Sequence, residues 1–247
     1  PDSTITPSTE GSIAFRPASQ RALRQEIVAS LLTAIFQGRL KEGAWLNAQK
    51  LAQQFGVSAT PVREALVELA TIGMVEMRHN RGTVVRSFGP VQLREIYQLR
   101  QILESEATRR ACPHLAPEAL TELRQGMTSL LESSEQNADW SNRVIRLDRC
   151  LHELIARHCD NRRLTEEISR YNILIQCIRD VVANLSYAQQ RAIPEHLAII
   201  EALLKQAPER AAAAMVAHIQ SSAKVVEQAL FPAASAERGT PSPIKKP

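Results

Sequence analysis

The sequence predicts a mainly α-helical protein, in which an N-terminal winged helix-turn-helix is followed by an all-α antiparallel helical bundle. One observation is the segment 56–66, where a glycine turn leads directly into a capped helix. The other is the stretch 90–230, which contains a single glycine, Gly126, and almost no strand-like alternation. The predicted organisation is a disordered tail at 1–19, a winged head at 20–88, a helical body at 89–231 and a disordered tail at 232–247.

The helix-turn-helix prediction starts from the glycine turn. Gly56 closes a short helix, and Ser58 and Thr60 are both good N-cap residues for the next one. Pro61 suits the first turn of that helix, where a missing N–H costs little. Arg63 points away from the apolar stripe, as a recognition helix that enters a major groove requires. The stripe itself recurs at helical spacing: Val62, Ala65, Leu66 and Leu69.

The flanking segments complete a winged fold. An apolar stripe predicts a first helix from about residue 21 to 38. After the recognition helix, residues 75–77 and 83–85 alternate like short strands around a hairpin tip at 79–82. The alternative is a small helical domain with an ordinary capped helix. The supporting helix before the turn is predicted from its own apolar face: Leu51, Ala52 and Phe55.

The head carries a wider motif: Gly38-Arg39-Leu40, Gly43, Leu51-Ala52, Gly56-Val57-Ser58, Thr60-Pro61-Val62-Arg63-Glu64-Ala65-Leu66, Gly73 and Arg81-Gly82. With this combination, residues 21–86 resemble the DNA-binding domain of the GntR family of bacterial regulators. The family usually has an arginine in place of Ala59 and often a charged residue near Gln49, so we expect a different operator or a lower affinity. The resemblance implies these contacts with double-stranded DNA: Gln49, Lys50, Ser58, Thr60, Arg63, Arg81 and Gly82.

Positive charge is concentrated in the head. Residues 20–86 contain nine basic and five acidic residues, an excess of +4 that equals the formal net charge of the whole chain. A basic head on a neutral body suits contact with phosphate by the head alone. Without the motif, such a modest excess would fit a solvated basic face that has no partner.

The composition argues against membrane and secreted proteins. No apolar run approaches the ~20 residues that a membrane-spanning helix needs, and no signal peptide is visible. The cysteines show no CxxC spacing, and several lie on apolar helix faces, as reduced buried thiols do: Cys112, Cys150, Cys159 and Cys177. We therefore expect a reduced, cytoplasmic bacterial protein that is located at the nucleoid when it binds DNA.

The body is predicted to contain six helices, because prolines interrupt its helical stretches: Pro113, Pro117, Pro194 and Pro208. The predicted helices span 91–111, 117–135, 141–159, 162–186, 193–206 and 208–230. Their short connections predict that sequential helices pack antiparallel around an aliphatic core.

One aspartate and three histidines stand out in the body. Asp148 and His152 are four residues apart and therefore share a helix face. His196 lies eleven residues before Ala207 and His218 eleven residues after it, so an antiparallel pair would bring both imidazoles to one height. If the Asp148–His152 face also points inward, the four residues suit zinc, nickel, manganese or iron. The alternative is that each histidine is an ordinary core residue with its hydrogen bonds satisfied.

These residues belong to a longer pattern: Leu99-Arg100 with Glu104, Asp148 with His152, Asn161, Glu195-His196 and His218. The pattern resembles the FCD effector domain of the FadR branch of GntR regulators, and the six-helix length resembles its shorter, VanR-like group. The resemblance implies a divalent metal, with zinc favoured, held by the aspartate and the three histidines. It also implies a carboxylate effector that completes the coordination shell of the metal.

Arg100 lies on an apolar stripe of the first body helix, and a buried guanidinium needs an acidic partner. Glu104, one turn further on, is the structural candidate. The functional candidate, which the resemblance favours, is the carboxylate of an effector held bidentately. Gln176 and Arg179 in the fourth body helix are further candidates for the effector cavity, and Asn161 is expected to be the N-cap of that helix.

These features predict a homodimeric, ligand-responsive transcriptional regulator that acts as a repressor. The dimer would present two winged heads to an inverted-repeat operator, and a small carboxylate metabolite at the metal would release it. One alternative is a metal sensor in which the ion itself is the signal. Another is a metal-dependent enzyme, although no convincing general base accompanies the histidines and the head would have no role.

Overall fold

The computed structural model describes residues 20–79, 81–182 and 186–232. The predicted tails, at 1–19 and beyond 232, lie outside these residues, as does Asn80 at the predicted hairpin tip. The head contains α1 (Gln20–Phe36), β1 (Trp45–Leu46), α2 (Ala48–Phe55), α3 (Ala59–Thr71), β2 (Val75–Arg78) and β3 (Gly82–Val85). The body contains α4 (Pro90–Ala111), a 3-10 turn (Cys112–His114), α5 (Pro117–Glu132), α6 (Ala138–His158), α7 (Arg162–Val182), α8 (Ser186–Leu204) and α9 (Pro208–Leu230).

The helix-turn-helix is formed by α2, a glycine turn and α3. Asn47 caps α2, because its side-chain oxygen accepts hydrogen bonds from the backbone N–H groups of Gln49 and Lys50 at 2.9 and 3.0 Å. Gly56 ends α2 in the left-handed conformation, with a φ of +67°. Ser58 is the N-cap residue of α3, although its side chain makes no capping hydrogen bond.

The apolar face of α3 holds the recognition helix against α1 and α2. The interpretation of Thr60 as a possible N-cap is wrong, because α3 already begins at Ala59 and Thr60 lies exposed in its first turn. Arg63 is exposed on the side opposite the stripe, as predicted. The predicted stripe residues are all buried: Val62, Ala65, Leu66 and Leu69.

The wing is a three-stranded antiparallel sheet with the strand order β1-β3-β2. β2 and β3 pair along their whole length, from Val75 opposite Val85 to Arg78 opposite Gly82. The alternation of the sequence predicted this hairpin. It did not predict β1, because a strand of two residues is too short to show alternation.

Helix α9 packs between its neighbours at the centre of the body. Its most extensive contact is with α4, its next is with α8, and α8 in turn packs on α5. Sequential helices pack on each other for α5–α6, α6–α7 and α8–α9, as expected, whereas among the described residues α4 makes few contacts with α5, and α7 few with α8. Helix α9 can approach two helices closely because it buries small side chains, among them Ala211 and Ala212.

The predicted helix bounds differ most at α8. This helix begins at Ser186 rather than at residue 193, and it continues through Pro194, which was predicted to interrupt it. Pro194 has no N–H to bond the carbonyl of Gln190, but both residues are exposed, so water can satisfy that carbonyl. Residues 183–185, at the predicted end of the preceding helix, lie outside the described residues.

The head contacts the body along two surfaces. Helix α1 packs against α7. Three phenylalanines meet near the start and the end of the body: the ring centroids of Phe36 and Phe88 are 5.3 Å apart, and those of Phe88 and Phe231 are 6.2 Å apart. Through these contacts the DNA-binding elements pack directly against the bundle.

All four cysteines are free thiols, and three of them are buried, as their spacing and their apolar surroundings predicted. Among the helices that the structure describes, none has both the length and the apolar character required to cross a membrane.

Replacing Gly56 with alanine tests the turn between α2 and α3. A Cβ at this position would meet nothing within 4 Å, so the cost comes only from the left-handed backbone, about 1–2 kcal/mol for an L residue. We expect Gly56→Ala to lower the free energy of unfolding by about 1–2 kcal/mol in urea denaturation. Gly56→Asn should lower it by less, because asparagine tolerates this conformation better. Equal stability of the alanine variant and the wild type would contradict the assignment of the turn.

Candidate metal centre and DNA-facing surface

Three helices bring one carboxylate and three imidazoles together inside the body. Helix α6 supplies Asp148 and His152, α8 supplies His196, and α9 supplies His218. Each of these residues is at most 7% exposed. One ligand atom can be chosen from each so that all four atoms lie within 4.8 Å of one another. We call these four residues the His/Asp cluster.

The equal chain distances of His196 and His218 from the α8–α9 turn bring their two imidazoles together, as predicted. The ring centroids of His196 and His218 lie only 4.3 Å apart. Nε2 of His196 lies 2.9 Å from Oδ1 of Asp148, and Nε2 of His152 lies 3.7 Å from the same oxygen. Because α6 packs against α8, its Asp148–His152 face points inward and completes the cluster.

The negative charge of Asp148 is balanced by Arg179 of α7, whose guanidinium contacts the second carboxylate oxygen. Burial by itself raises the pKa of Asp148, but the positive charge of Arg179 and the neighbouring histidines outweigh burial. The pKa of Asp148 therefore lies well below its usual range. Asp148 is ionised at neutral pH and can act as an oxygen ligand.

Two of the imidazoles are held by glutamates that lie outside the cluster. Nδ1 of His152 lies 2.5 Å from Oε2 of Glu104. Nδ1 of His218 lies 3.0 Å from Oε2 of Glu195. Burial lowers the pKa of His218 to about 3, and the nearby His196 adds to this effect. His218 is therefore neutral at pH 7 and has a lone pair that can bind a metal.

Two cavities meet at the cluster. The inner cavity, of about 90 Å³, is bounded mainly by α6, α8 and α9 and reaches Asp148, His196 and His218. The head-facing cavity, of about 600 Å³, reaches His152 and lies between α4, α6 and α7 of the body and α1 and α3 of the head. The predicted effector residues all line the head-facing cavity: Arg100, Gln176 and Arg179.

Arg100 is buried and has the structural partner that its position in the sequence suggests. Its Nε donates a hydrogen bond of 2.7 Å to Oε1 of Glu104, and its guanidinium carbon lies 4.9 Å from the centre of the Tyr97 ring. Its Nη1 is buried and has no hydrogen-bond partner among the described residues. Arg100 therefore has one donor group left over beside the head-facing cavity.

The residues predicted to contact DNA are all exposed in the structure: Gln49, Lys50, Ser58, Thr60, Arg63, Arg81 and Gly82. Arg63 of α3 and Arg81 of the wing line the same groove, between the recognition helix and the wing. Large apolar side chains are exposed in this groove as well, and Trp45 and Met77 are each more than half exposed. The groove thus combines arginines with an apolar surface, as a DNA-binding surface does.

Two known domain families match this chain. The family described as bacterial regulatory proteins, gntR family, matches residues 23–85, and the FCD domain family matches residues 95–221. The chain is a GntR-family regulator with an FCD domain. The DNA-facing groove lies within the GntR segment, and the whole His/Asp cluster lies within the FCD segment.

Relatives named as transcriptional regulators match most of this GntR-family chain. YdhC, an uncharacterized HTH-type transcriptional regulator of Bacillus subtilis, is 29% identical over 196 residues, which cover 79% of this chain and 87% of YdhC. RspR, an HTH-type transcriptional repressor of Escherichia coli K12, is 26% identical over 208 residues, which cover 84% of this chain and 87% of RspR. The solved structure of E. coli McbR/YncC has a TM-score of 0.65 and 24% identity and covers 86% of this chain and 99% of its own, which supports the fold.

Three contacts of this FCD domain could not be predicted from sequence spacing. The contacts of Glu104 with His152 and of Arg179 with Asp148 join residues 48 and 31 positions apart. Glu195 reaches across to His218, 23 positions away, rather than to its chain neighbour His196. Such partners lie on different helices, so only helix packing determines them.

The predicted cap of α7 is present in the structure. The side-chain oxygen of Asn161 accepts a hydrogen bond of 3.1 Å from the N–H of Leu164. Asn161 therefore begins a helix, as the sequence analysis expects, and this helix carries Gln176 and Arg179 to the head-facing cavity.

Proposed function

We propose that this GntR-family protein is a repressor that binds an inverted-repeat operator as a homodimer and is released by a small carboxylate metabolite bound at a divalent metal ion. One observation carries the proposal: the cavity beside a buried four-residue cluster of metal-binding type is bounded on its other side by the DNA-binding head. The relative RspR is named as a repressor. A bacterial regulator of this kind works in the cytoplasm, at the nucleoid.

The head provides the surface for double-stranded DNA. In winged helix-turn-helix docking, the N-terminal part of the recognition helix enters a major groove. Thr60 and Arg63 lie in that part of α3, and Ser58 is its N-cap. Arg81 and Gly82 at the wing tip are positioned to reach the adjacent minor groove or the phosphate backbone. Two heads of a homodimer match the two halves of an inverted repeat.

A divalent metal fits the His/Asp cluster. Asp148 offers an ionised oxygen, and Nε2 of His152 and Nε2 of His218 are buried without a hydrogen-bond partner among the described residues. Buried polar atoms without any partner are rare in proteins, so these two nitrogens call for a partner such as a metal ion or an ordered water. Imidazole and carboxylate donors together suit zinc, and also nickel, manganese or iron. The bound ion would supply a positive charge and a coordination position for a carboxylate oxygen.

The head-facing cavity is the proposed effector site. The free Nη1 of Arg100 offers a charged donor to a carboxylate, and Gln176 and Arg179 line the same space. On the opposite wall, Glu68 of α3 pairs with Arg24 of α1 at 3.0 Å. A ligand in this cavity would therefore contact the recognition helix itself, and couplings between two such sites are typically ~1–3 kcal/mol.

The two alternatives differ in what they need from the cluster. A metal sensor needs only the ion, and the same four ligands would serve it. An enzyme also needs a free general base, but the two glutamates that contact the cluster, Glu104 and Glu195, already bind His152 and His218. The enzyme is therefore the weaker alternative.

We expect Arg63→Ala to abolish specific operator binding and to leave the fold intact, because Arg63 is exposed on the recognition helix. A lost base or phosphate contact should cost ~1–3 kcal/mol per subunit. A gel-shift titration on the native operator measures the effect. Arg39→Ala is the matched control, since Arg39 is an exposed head arginine outside the groove between α3 and the wing. Equal loss of affinity in both variants would show a general charge effect and not docking by α3.

We expect His196→Ala and His218→Ala each to lose most of the bound metal, because each removes one buried ligand atom of the cluster. Elemental analysis after dialysis measures the remaining metal, and His158→Ala, an exposed histidine on α6, is the control. The metal should raise the melting temperature of the wild type but not of the two cluster variants. Full metal content in either variant would exclude that histidine as a ligand.

Operator affinity under three conditions separates the interpretations: without metal, with metal, and with metal plus a panel of small mono-, di- and tricarboxylates. We expect metal alone to change the affinity little and one class of carboxylate to weaken it by about 5- to 150-fold. His196→Ala should keep the basal affinity and lose the response. Release by metal alone would identify a metal sensor, and turnover of a carboxylate would identify an enzyme.

A further inference from the structure

The two glutamates that contact the cluster control which nitrogen of each histidine carries the proton. An ionised carboxylate can only accept hydrogen bonds, so the imidazole nitrogen that faces it must carry the proton. Glu104 is held as a carboxylate by Arg100, whose Nε donates a hydrogen bond of 2.7 Å to Oε1. When Nδ1 carries the single ring proton of His152, the lone pair lies on Nε2, the atom next to Asp148.

We propose that Glu104 and Glu195 are positioning residues that set the Nδ1–H tautomers of His152 and His218 and thereby point two Nε2 lone pairs at the metal. The proposal rests on the proposed metal function. Three observations carry it: both glutamates contact Nδ1, both Nε2 atoms are buried without a hydrogen-bond partner among the described residues, and both histidines belong to the His/Asp cluster. Outer-shell carboxylates of this kind fix the ring orientation and raise the basicity of the ligand.

The two glutamates are not equivalent, because they have different second partners. Glu104 is held by Arg100, whose Nε donates to Oε1 at 2.7 Å, and the side chains of this pair are only 7% and 5% exposed. Glu195 is about a quarter exposed and lines the inner cavity together with Ser221, whose hydroxyl can donate or accept a hydrogen bond. The orientation of a side chain at position 104 is therefore fixed, whereas a side chain at position 195 can turn.

This difference predicts opposite behaviour for the same substitution. In Glu104→Gln, Arg100 requires the amide oxygen as its acceptor, so the amide NH2 turns toward His152. An NH2 group donates to Nδ1, which favours the tautomer with the proton on Nε2, and protonated Nε2 cannot bind a metal. In Glu195→Gln, Ser221 can donate or accept, so the amide can still present its oxygen to His218 and keep the correct tautomer.

Metal affinity, measured by chelator competition with zinc and with cobalt, is the first test. We expect Glu104→Gln to weaken binding by about 10- to 100-fold, the range typical of outer-shell changes, and Glu195→Gln to weaken it clearly less. Glu106→Gln is the matched control, because Glu106 lies on the same helix but is half-exposed and pairs with Arg109. Equal affinity of Glu104→Gln and wild type would overturn the proposal.

A second substitution separates the tautomer from simple destabilisation. Replacing Arg100 with methionine in the Glu104→Gln background removes the group that fixes the amide, so the amide can turn its oxygen toward His152. We expect Arg100→Met/Glu104→Gln to bind metal more tightly than Glu104→Gln alone. If the double variant binds no better than the single variant, the orienting role assigned to Glu104 is wrong.

The protonated nitrogen of each histidine can be read directly from 15N chemical shifts of metal-free protein. We expect His152 and His218 to be Nδ1–H tautomers in the wild type, and His152 to become Nε2–H in Glu104→Gln. This readout is independent of metal binding. If the wild type has these tautomers but binds no metal, the proposed metal function fails and the assignment of the glutamates stands. If the wild type binds metal with His152 in the Nε2–H form, the role assigned to the glutamates is wrong and the proposed metal function stands.

Discussion

The desolvation of one aspartate and three histidines inside an aliphatic bundle is the constraint on which the rest of the body depends. A buried carboxylate that lacks a partner costs several kcal/mol, so Asp148 requires Arg179 beside it. Glu104 in turn requires Arg100, and it orients His152. Each of these contacts joins different helices or successive turns of one helix. Together with the contacts of His196 with Asp148 and of His218 with Glu195, these polar groups link α4, α6, α7, α8 and α9.

Apolar packing supplies the rigidity that such a centre needs. Helix α9 packs on α4 and α8 through small side chains, and the short turn between α8 and α9 keeps their two imidazoles level. Ligands carried by packed helices hold their geometry better than ligands on loops. The bundle therefore holds the four side chains of the His/Asp cluster in fixed positions beside the head-facing cavity.

Helix α7 links this centre to the DNA-binding head. Arg179, near its C-terminal end, contacts Asp148 and lines both cavities, while other parts of α7 pack on α1. A ligand that competes for Arg179 or for Asp148 acts on the helix that touches the head. The contacts among Phe36, Phe88 and Phe231 form a second, apolar junction between the head and the body.

Local sequence patterns determined much of this protein, because they act over one or two helical turns. Gly56 and the stripe that includes Val62 predicted the helix-turn-helix, and the i, i+4 pair of Asp148 and His152 predicted one half of the cluster. The equal distances of His196 and His218 from their turn predicted the other half, because residues at equal chain distance from the turn lie side by side in an antiparallel helix pair. By contrast, only the tertiary structure decided that α4 packs on α9, that α8 continues through Pro194, and that Glu104, Glu195 and Arg179 face their partners. These contacts depend on how whole helices rotate and stack so that little charge is buried without a partner. Because the partners lie far apart in the chain, they produce no periodic pattern in the sequence.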